Sequence, residues 1–89
     1  MPPLPAISGN KVIKALDEQA GFGLIRVNGR HHMMRNSEGR FTVVPVHGGD
    51  DLEPGTLRRV ICDAGLSVAE FVQLLDWAQS KAASMALTR

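Results

Sequence analysis

Residues 27–35 read VNGRHHMMR, and this stretch decides how the chain is organised. Its Asn28-Gly29 step is the strongest two-residue turn signal in the sequence, because both residue types tolerate a positive φ. The apolar run before it, 22–27, is short enough for a strand, and the run after it, 30–35, provides a second one. The stretch therefore predicts an antiparallel hairpin with two adjacent histidines directly behind its turn.

A third strand is predicted next along the chain. Residues 36–39 read Asn-Ser-Glu-Gly, a typical turn composition, and residues 40–46 have the composition of a strand. Pro45 has no backbone N–H to donate, so it either ends this strand or lies on an edge of the sheet. The sequence therefore predicts a meander of three antiparallel strands.

Strand alternation places the two histidines on opposite faces of this sheet. One face must pack against helices and the other can meet solvent, so one histidine should be available for chemistry. Methionine occurs on both faces, so alternation does not decide which face is covered. The two sets are His31, Met33 and Arg35 on one face, and Arg30, His32 and Met34 on the other.

Helices are predicted before and after the meander. Ser8 is a good N-cap for a helix that Gly21 ends, and Pro54 is a typical first-turn residue of a helix that Gly65 ends. Residues 67–70 fit a capping box at the start of a further helix. The predicted fold class is α+β, an α-β-β-β-α order with a three-stranded antiparallel sheet plus an extra C-terminal helix.

Length and composition predict a single domain over residues 1–89. Residues 1–7 hold three prolines and should form an extended lead-in, while residues 76–89 carry no motif and should form a C-terminal helical extension. Cys62 stands alone, which excludes an intramolecular disulfide, and we expect it to be buried in an apolar helical stripe. With no signal peptide and no apolar run of membrane-spanning length, the expected location is the cytoplasm.

Charge singles out the meander as a candidate RNA surface. The net charge is only +1, yet between residues 26 and 40 Glu38 is the one acid among four arginines. Clustered arginine attracts a phosphodiester backbone, although a solvated sheet face is the alternative explanation. Histidine, with a pKa of roughly 6.5, exchanges a proton near neutral pH. The four arginines are Arg26, Arg30, Arg35 and Arg40.

Other chemistries find little support in the sequence. Adjacent histidines point to opposite faces and cannot chelate one ion, so no metal is expected. The serines stand at caps, turns or a helix end, and no glycine-rich phosphate loop is present. His47, just after the third strand, either joins the histidine site or is an ordinary loop residue. RNA cleavage needs no cofactor, because the ribose 2′-hydroxyl is an internal nucleophile and one base can activate it.

Six short motifs follow one another in unbroken order: GNKVIKAL at 9–16, AGF at 20–22, GRHH at 29–32, VVPVHG at 43–48, LEPGTLR at 52–58 and AGLS at 64–67. Together they resemble the HicA (YcfA-like) toxins of bacterial toxin–antitoxin pairs, over about residues 6–75. The resemblance implies a fold like the double-stranded-RNA-binding domain. It also implies a metal-independent mRNA endoribonuclease, neutralised by a HicB-type antitoxin that covers the active site.

The resemblance also implies the site residues. The family's catalytic histidine follows a Gly-Ser pair, which by position makes His31 catalytic and Gly29 the tight residue before it. Here Arg30 stands where the family has serine, and it either adds a phosphate contact or weakens catalysis. Gly29, Arg30, His32 and Arg35 are the expected substrate-binding residues, with His32 as the fallback base.

Two further functions remain open at this stage. A non-catalytic RNA-binding module of the same fold would carry a lysine cluster at the start of its last main helix, but residues 53–59 hold only two arginines. A pure interaction protein would use the sheet and the third helix. An antitoxin interface predicts exposed apolar side chains, for which Met33 or Met34, together with Trp77, are the candidates. Trp77 could equally form the edge of the third helix's buried face.

Overall fold

The computed structural model describes residues 4–76 and has the predicted order of elements. The three strands are antiparallel and neighbour one another in chain order, and a further helix, α3, runs from residue 68 to the last described residue. Trp77 and the rest of the expected C-terminal extension lie outside the described residues. The other elements are α1 (Gly9–Gln19), β1 (Gly23–Asn28), β2 (His31–Arg35), β3 (Phe41–Pro45) and α2 (Pro54–Asp63).

The helix starts follow from local hydrogen bonding. The backbone N–H of Lys11 donates to the Ser8 hydroxyl at 3.4 Å, which confirms Ser8 as the N-cap of α1. Pro54 begins α2, where its missing N–H would have had no helical partner. Before α3, the Ser67 N–H donates to a Glu70 carboxylate oxygen at 2.9 Å and the Glu70 N–H to the Ser67 hydroxyl at 3.0 Å, so the predicted capping box is present. No helix within residues 4–76 is long and apolar enough to cross a membrane.

The core decides which face of the sheet is covered. Met34 is fully buried, so the face that it shares with His32 packs against the helices; we call this the inner face. The face of His31 and Arg35 is open and is called the outer face. Of the two methionines offered as alternatives for an antitoxin interface, Met34 is therefore excluded and Met33, on the other face, remains. The core joins the sheet to all three helices through Val12, Leu16, Phe22, Met34, Val44, Leu57, Val60, Ile61 and Phe71.

Cys62 differs from the prediction, because it is exposed. The buried residues of α2 are Leu57, Val60 and Ile61, and Ala64 is buried just beyond the helix. Cys62 directly follows Ile61, so it is turned by about 100° from that residue and faces away from the core. Cys62 therefore lies beside the apolar stripe of α2 and is not part of it.

The edge strand β1 remains open. All six of its residues are exposed, including Leu24, Ile25 and Val27 at 50%, 55% and 51%. Leu24 pairs with Met34 and Arg26 with Met33, which leaves Ile25 as the extra residue of a β-bulge. A bulge twists an edge strand and interrupts its row of free backbone groups, which hinders edge-to-edge pairing between chains.

Candidate functional site

The site is built at the end of the sheet where the first hairpin turns. His31 is the first residue of β2, is exposed, and lies on the outer face between Asn28 of β1 and Pro45 of β3. Directly opposed residues of antiparallel strands have Cβ atoms about 4.5–5.5 Å apart. His31 is therefore held between two neighbours in the sheet while its ring remains open to solvent.

The turn before His31 differs from the predicted one. Asn28 is still part of β1 and pairs with His31, so the two loop residues are Gly29 and Arg30. Gly29 has a φ of 60°, and within residues 4–76 no residue other than glycine has a positive φ. A positive φ at the first loop residue alone matches a type II′ turn, not the Asn-Gly turn expected from the dipeptide. Arg30 is thus a turn residue and not part of the strand.

Arg30 extends toward His47, which lies two residues beyond β3. Its Nη1 donates to the Nδ1 of His47 at 3.0 Å. The sheet explains the approach: Arg30 O accepts a hydrogen bond from the Val46 N–H at 2.7 Å, so the β2–β3 pairing continues past His31 and Pro45 to the next residues. His47 therefore lies at the same end of the sheet as His31, with its side chain in contact with the turn residue Arg30.

The remaining arginines divide between two places. Register puts Arg26 opposite Met33 and Arg35 opposite Phe41, all on the outer face with His31. Arg40 instead lies against Gly65, after α2. Of the four arginines in the predicted cluster, Arg26 and Arg35 therefore lie on the outer face, Arg30 lies in the turn between β1 and β2, and Arg40 lies beside Gly65.

His32 occupies a different environment from its neighbour. It is half-buried on the inner face, opposite Val27 and Val44. Its Nδ1 atom is buried and makes no hydrogen bond. A buried polar atom without a partner costs stability, and here it is also turned away from any molecule bound on the outer face.

The described part of the chain contains no cluster for a metal ion. Within residues 4–76 no three His, Cys, Asp or Glu side chains come together as ligands. Asp50 and Asp51, in the loop that follows His47, are both exposed. The donor set at this end of the sheet is imidazole and guanidinium, which suits anions and proton transfer.

In a comparison with protein-family models, residues 9–66 match the model of the HicA toxin of bacterial toxin–antitoxin systems. That range is about two thirds of the chain and runs from the start of α1 to just beyond α2, so it includes the whole sheet and the His31 end. A comparison with curated protein sequences gave no match. The family model, the order of elements and the histidine-bearing hairpin agree: the chain belongs to the HicA toxin family.

Proposed function

We propose that this toxin is an endoribonuclease that cleaves mRNA in the cytoplasm, with His31 as its general base. The observation that carries the proposal is the exposure of His31 on the arginine-bearing outer face, while the neighbouring His32 faces the core. An acid–base group must reach the proton that it removes, and an exposed ring beside a turn allows an RNA backbone to approach.

The reaction requires only groups that the RNA and this chain supply. His31 accepts the proton of a ribose 2′-hydroxyl, the 2′-oxygen forms a bond to the adjacent phosphorus, and the bond from phosphorus to the 5′-oxygen breaks. The departing oxygen takes a proton from water. Arg30 stabilises the negative charge on the phosphate oxygens beside His31, Arg35 contacts the RNA backbone farther along β2, and Gly29 lets the turn bring Arg30 beside His31. Of the predicted substrate-binding residues, His32 has the weakest support because of its inner-face position.

A HicB-type antitoxin is the proposed protein partner, bound so that it covers the His31 end of the outer face. Support comes from apolar surface on the same face: Phe41, 46% exposed, lies opposite Arg35 at the other end of β2, and half-buried Met33 lies on β2 between His31 and Arg35. An acidic partner would complement Arg26 and Arg35 in charge.

Induced expression in a bacterial host without the antitoxin tests the proposal. We expect growth arrest and loss of full-length mRNA with the wild type, neither with His31→Ala, and arrest again with Lys14→Ala, an exposed control on α1. Arrest by His31→Ala with intact mRNA would instead favour the non-catalytic RNA-binding function. Unchanged growth and intact mRNA with every variant would contradict the toxin proposal for this chain.

A further inference from the structure

We propose that Arg30 and His47 form a phosphate-binding pair beside His31, in which the neutral imidazole of His47 orients the Arg30 guanidinium toward the RNA backbone. The proposal rests on the ribonuclease function above and names the backbone contact of that site. Arg30 is the residue that touches the RNA, and His47 is a positioning residue that acts through it.

The chemistry of the contact fixes the state of the ring. A guanidinium has only donors, so across the 3.0 Å separation the His47 Nδ1 must supply the lone pair. The ring proton then resides on Nε2, where it forms a second donor directed away from Arg30. The pair therefore leaves the remaining guanidinium N–H groups of Arg30 to donate to phosphate oxygens, in an orientation that the bond to His47 fixes.

The backbone on both sides of the pair is fixed. Beyond the bond from Val46 to Arg30, the Asp50 N–H donates to His47 O at 3.0 Å and closes a turn after the histidine. At the far end of that loop, Asp51 bridges to Ser8 and the Leu52 N–H donates to Ile7 O at 2.9 Å. These bonds hold the loop to the sheet and to the start of α1, so less conformational freedom is lost when a ligand binds.

The charge of Arg30 is available to a ligand. Its side-chain partner is the His47 ring and not Asp50 or Asp51, which follow His47 in the same loop. Among the described residues an ion pair forms between Arg59 and Asp63 on α2, and Arg30 takes no part in it. A cation held by a neutral acceptor keeps its full charge for an incoming anion, and the adjacent His31 makes the scissile phosphate of RNA the anion that fits best.

Binding of a 2′-O-methyl RNA oligonucleotide tests the pair apart from cleavage, because this RNA lacks the nucleophile. With the purified chain and fluorescence anisotropy at fixed salt, Arg30→Ala and His47→Ala should each raise Kd about five- to tenfold. The double variant should be no weaker than Arg30→Ala alone, since His47 acts through Arg30. His47→Asn should bind within about twofold of wild type, because its amide oxygen accepts where Nδ1 did.

The outcomes separate this proposal from the proposed function. Wild-type affinity in His47→Ala, or a loss in His47→Asn as large as in His47→Ala, would overturn the pairing even if unmodified RNA is cleaved. The expected binding pattern without cleavage of unmodified RNA would keep the pair and overturn the ribonuclease. Absence of RNA binding by the wild type would overturn both, and a loss confined to antitoxin binding would assign the pair to a protein carboxylate instead of RNA.

Discussion

His31 and Pro45 face each other across β2 and β3 at a position where the two backbones are not hydrogen-bonded to each other. The bond from Val46 to Arg30 shows this, because bonded and non-bonded pairs alternate along an antiparallel ladder. The missing N–H of Pro45 therefore breaks no ladder bond, and its ring forms a stiff neighbour for the imidazole. His31 owes its fixed position to this pairing more than to contacts of its own side chain.

His32→Leu should raise the free energy of unfolding by about 1 kcal/mol, because it removes a buried polar atom that has no partner. Chemical denaturation measures the change, and RNA cleavage should persist since His31 is untouched. Loss of cleavage by a stably folded His32→Leu would transfer the catalytic role to His32.

Gly9→Ala should lower the free energy of unfolding by about 1–3 kcal/mol, since an added Cβ would collide with the Pro45 carbonyl oxygen and the Val46 side chain. Gly55→Ala is the matched control. Gly55 lies in α2 with open space around it, so the same change should raise stability by about 0.5–1 kcal/mol. Thermal unfolding of the two variants should give shifts of opposite sign, and equal shifts would contradict the close approach of α1 to β3.

Glu70 should make stability depend on pH in the acid range. The hydrogen bond from the Ser67 backbone N–H, and then the bond with its hydroxyl, lower the pKa of Glu70 below its ordinary value. The folded state therefore binds fewer protons, so this contribution is present above the ordinary carboxyl pKa and is lost as pH falls through the lowered one. Thermal unfolding between about pH 3 and pH 6 should show a weaker slope in Glu70→Gln than in Glu18→Gln, an equal charge change on α1.

Arg35→Ala should weaken RNA binding through charge alone. Removing one phosphate contact should reduce the slope of log K against log salt by about 0.7 for single-stranded RNA. Arg58→Ala removes the same charge from α2, on the other side of the sheet, and should leave the slope unchanged. Titration of 2′-O-methyl RNA at several salt concentrations gives both slopes, and equal slopes in the two variants would exclude Arg35 from the RNA-binding surface.

The elements were predictable because their signals are local. Ser8, Pro54 and the Ser67–Glu70 box act within one helical turn, and their predicted helix starts are confirmed. Strand limits differed by about one residue, as with β3, predicted at 40–46 and found at Phe41–Pro45. The position of each element along the chain was therefore easier to predict than the face of the sheet on which each side chain lies.

The sheet face that a side chain occupies and the type of the hairpin turn depend on tertiary contacts, for which a local sequence pattern is a weak signal. Met33 and Met34 are chemically alike, so only packing against the helices reveals that Met34 is the inner residue. The Asn28-Gly29 step suggested its own turn, but pairing of Asn28 with His31 moved the turn by one residue. Because of that shift, Arg30 lies in the turn and not in the strand. A prediction that misplaces the turn by one residue therefore misses its contact with His47.

In the hairpin turn, the position that constrains the backbone and the position next to His31 are occupied by different residues. Only Gly29 needs a positive φ, while position 30 has a backbone conformation that any L-residue adopts. The serine typical of the family and the arginine of this chain are therefore interchangeable as far as the turn is concerned. The residue next to His31 can therefore change in size and charge, and with it the groups offered to a ligand, while the backbone of the turn stays the same.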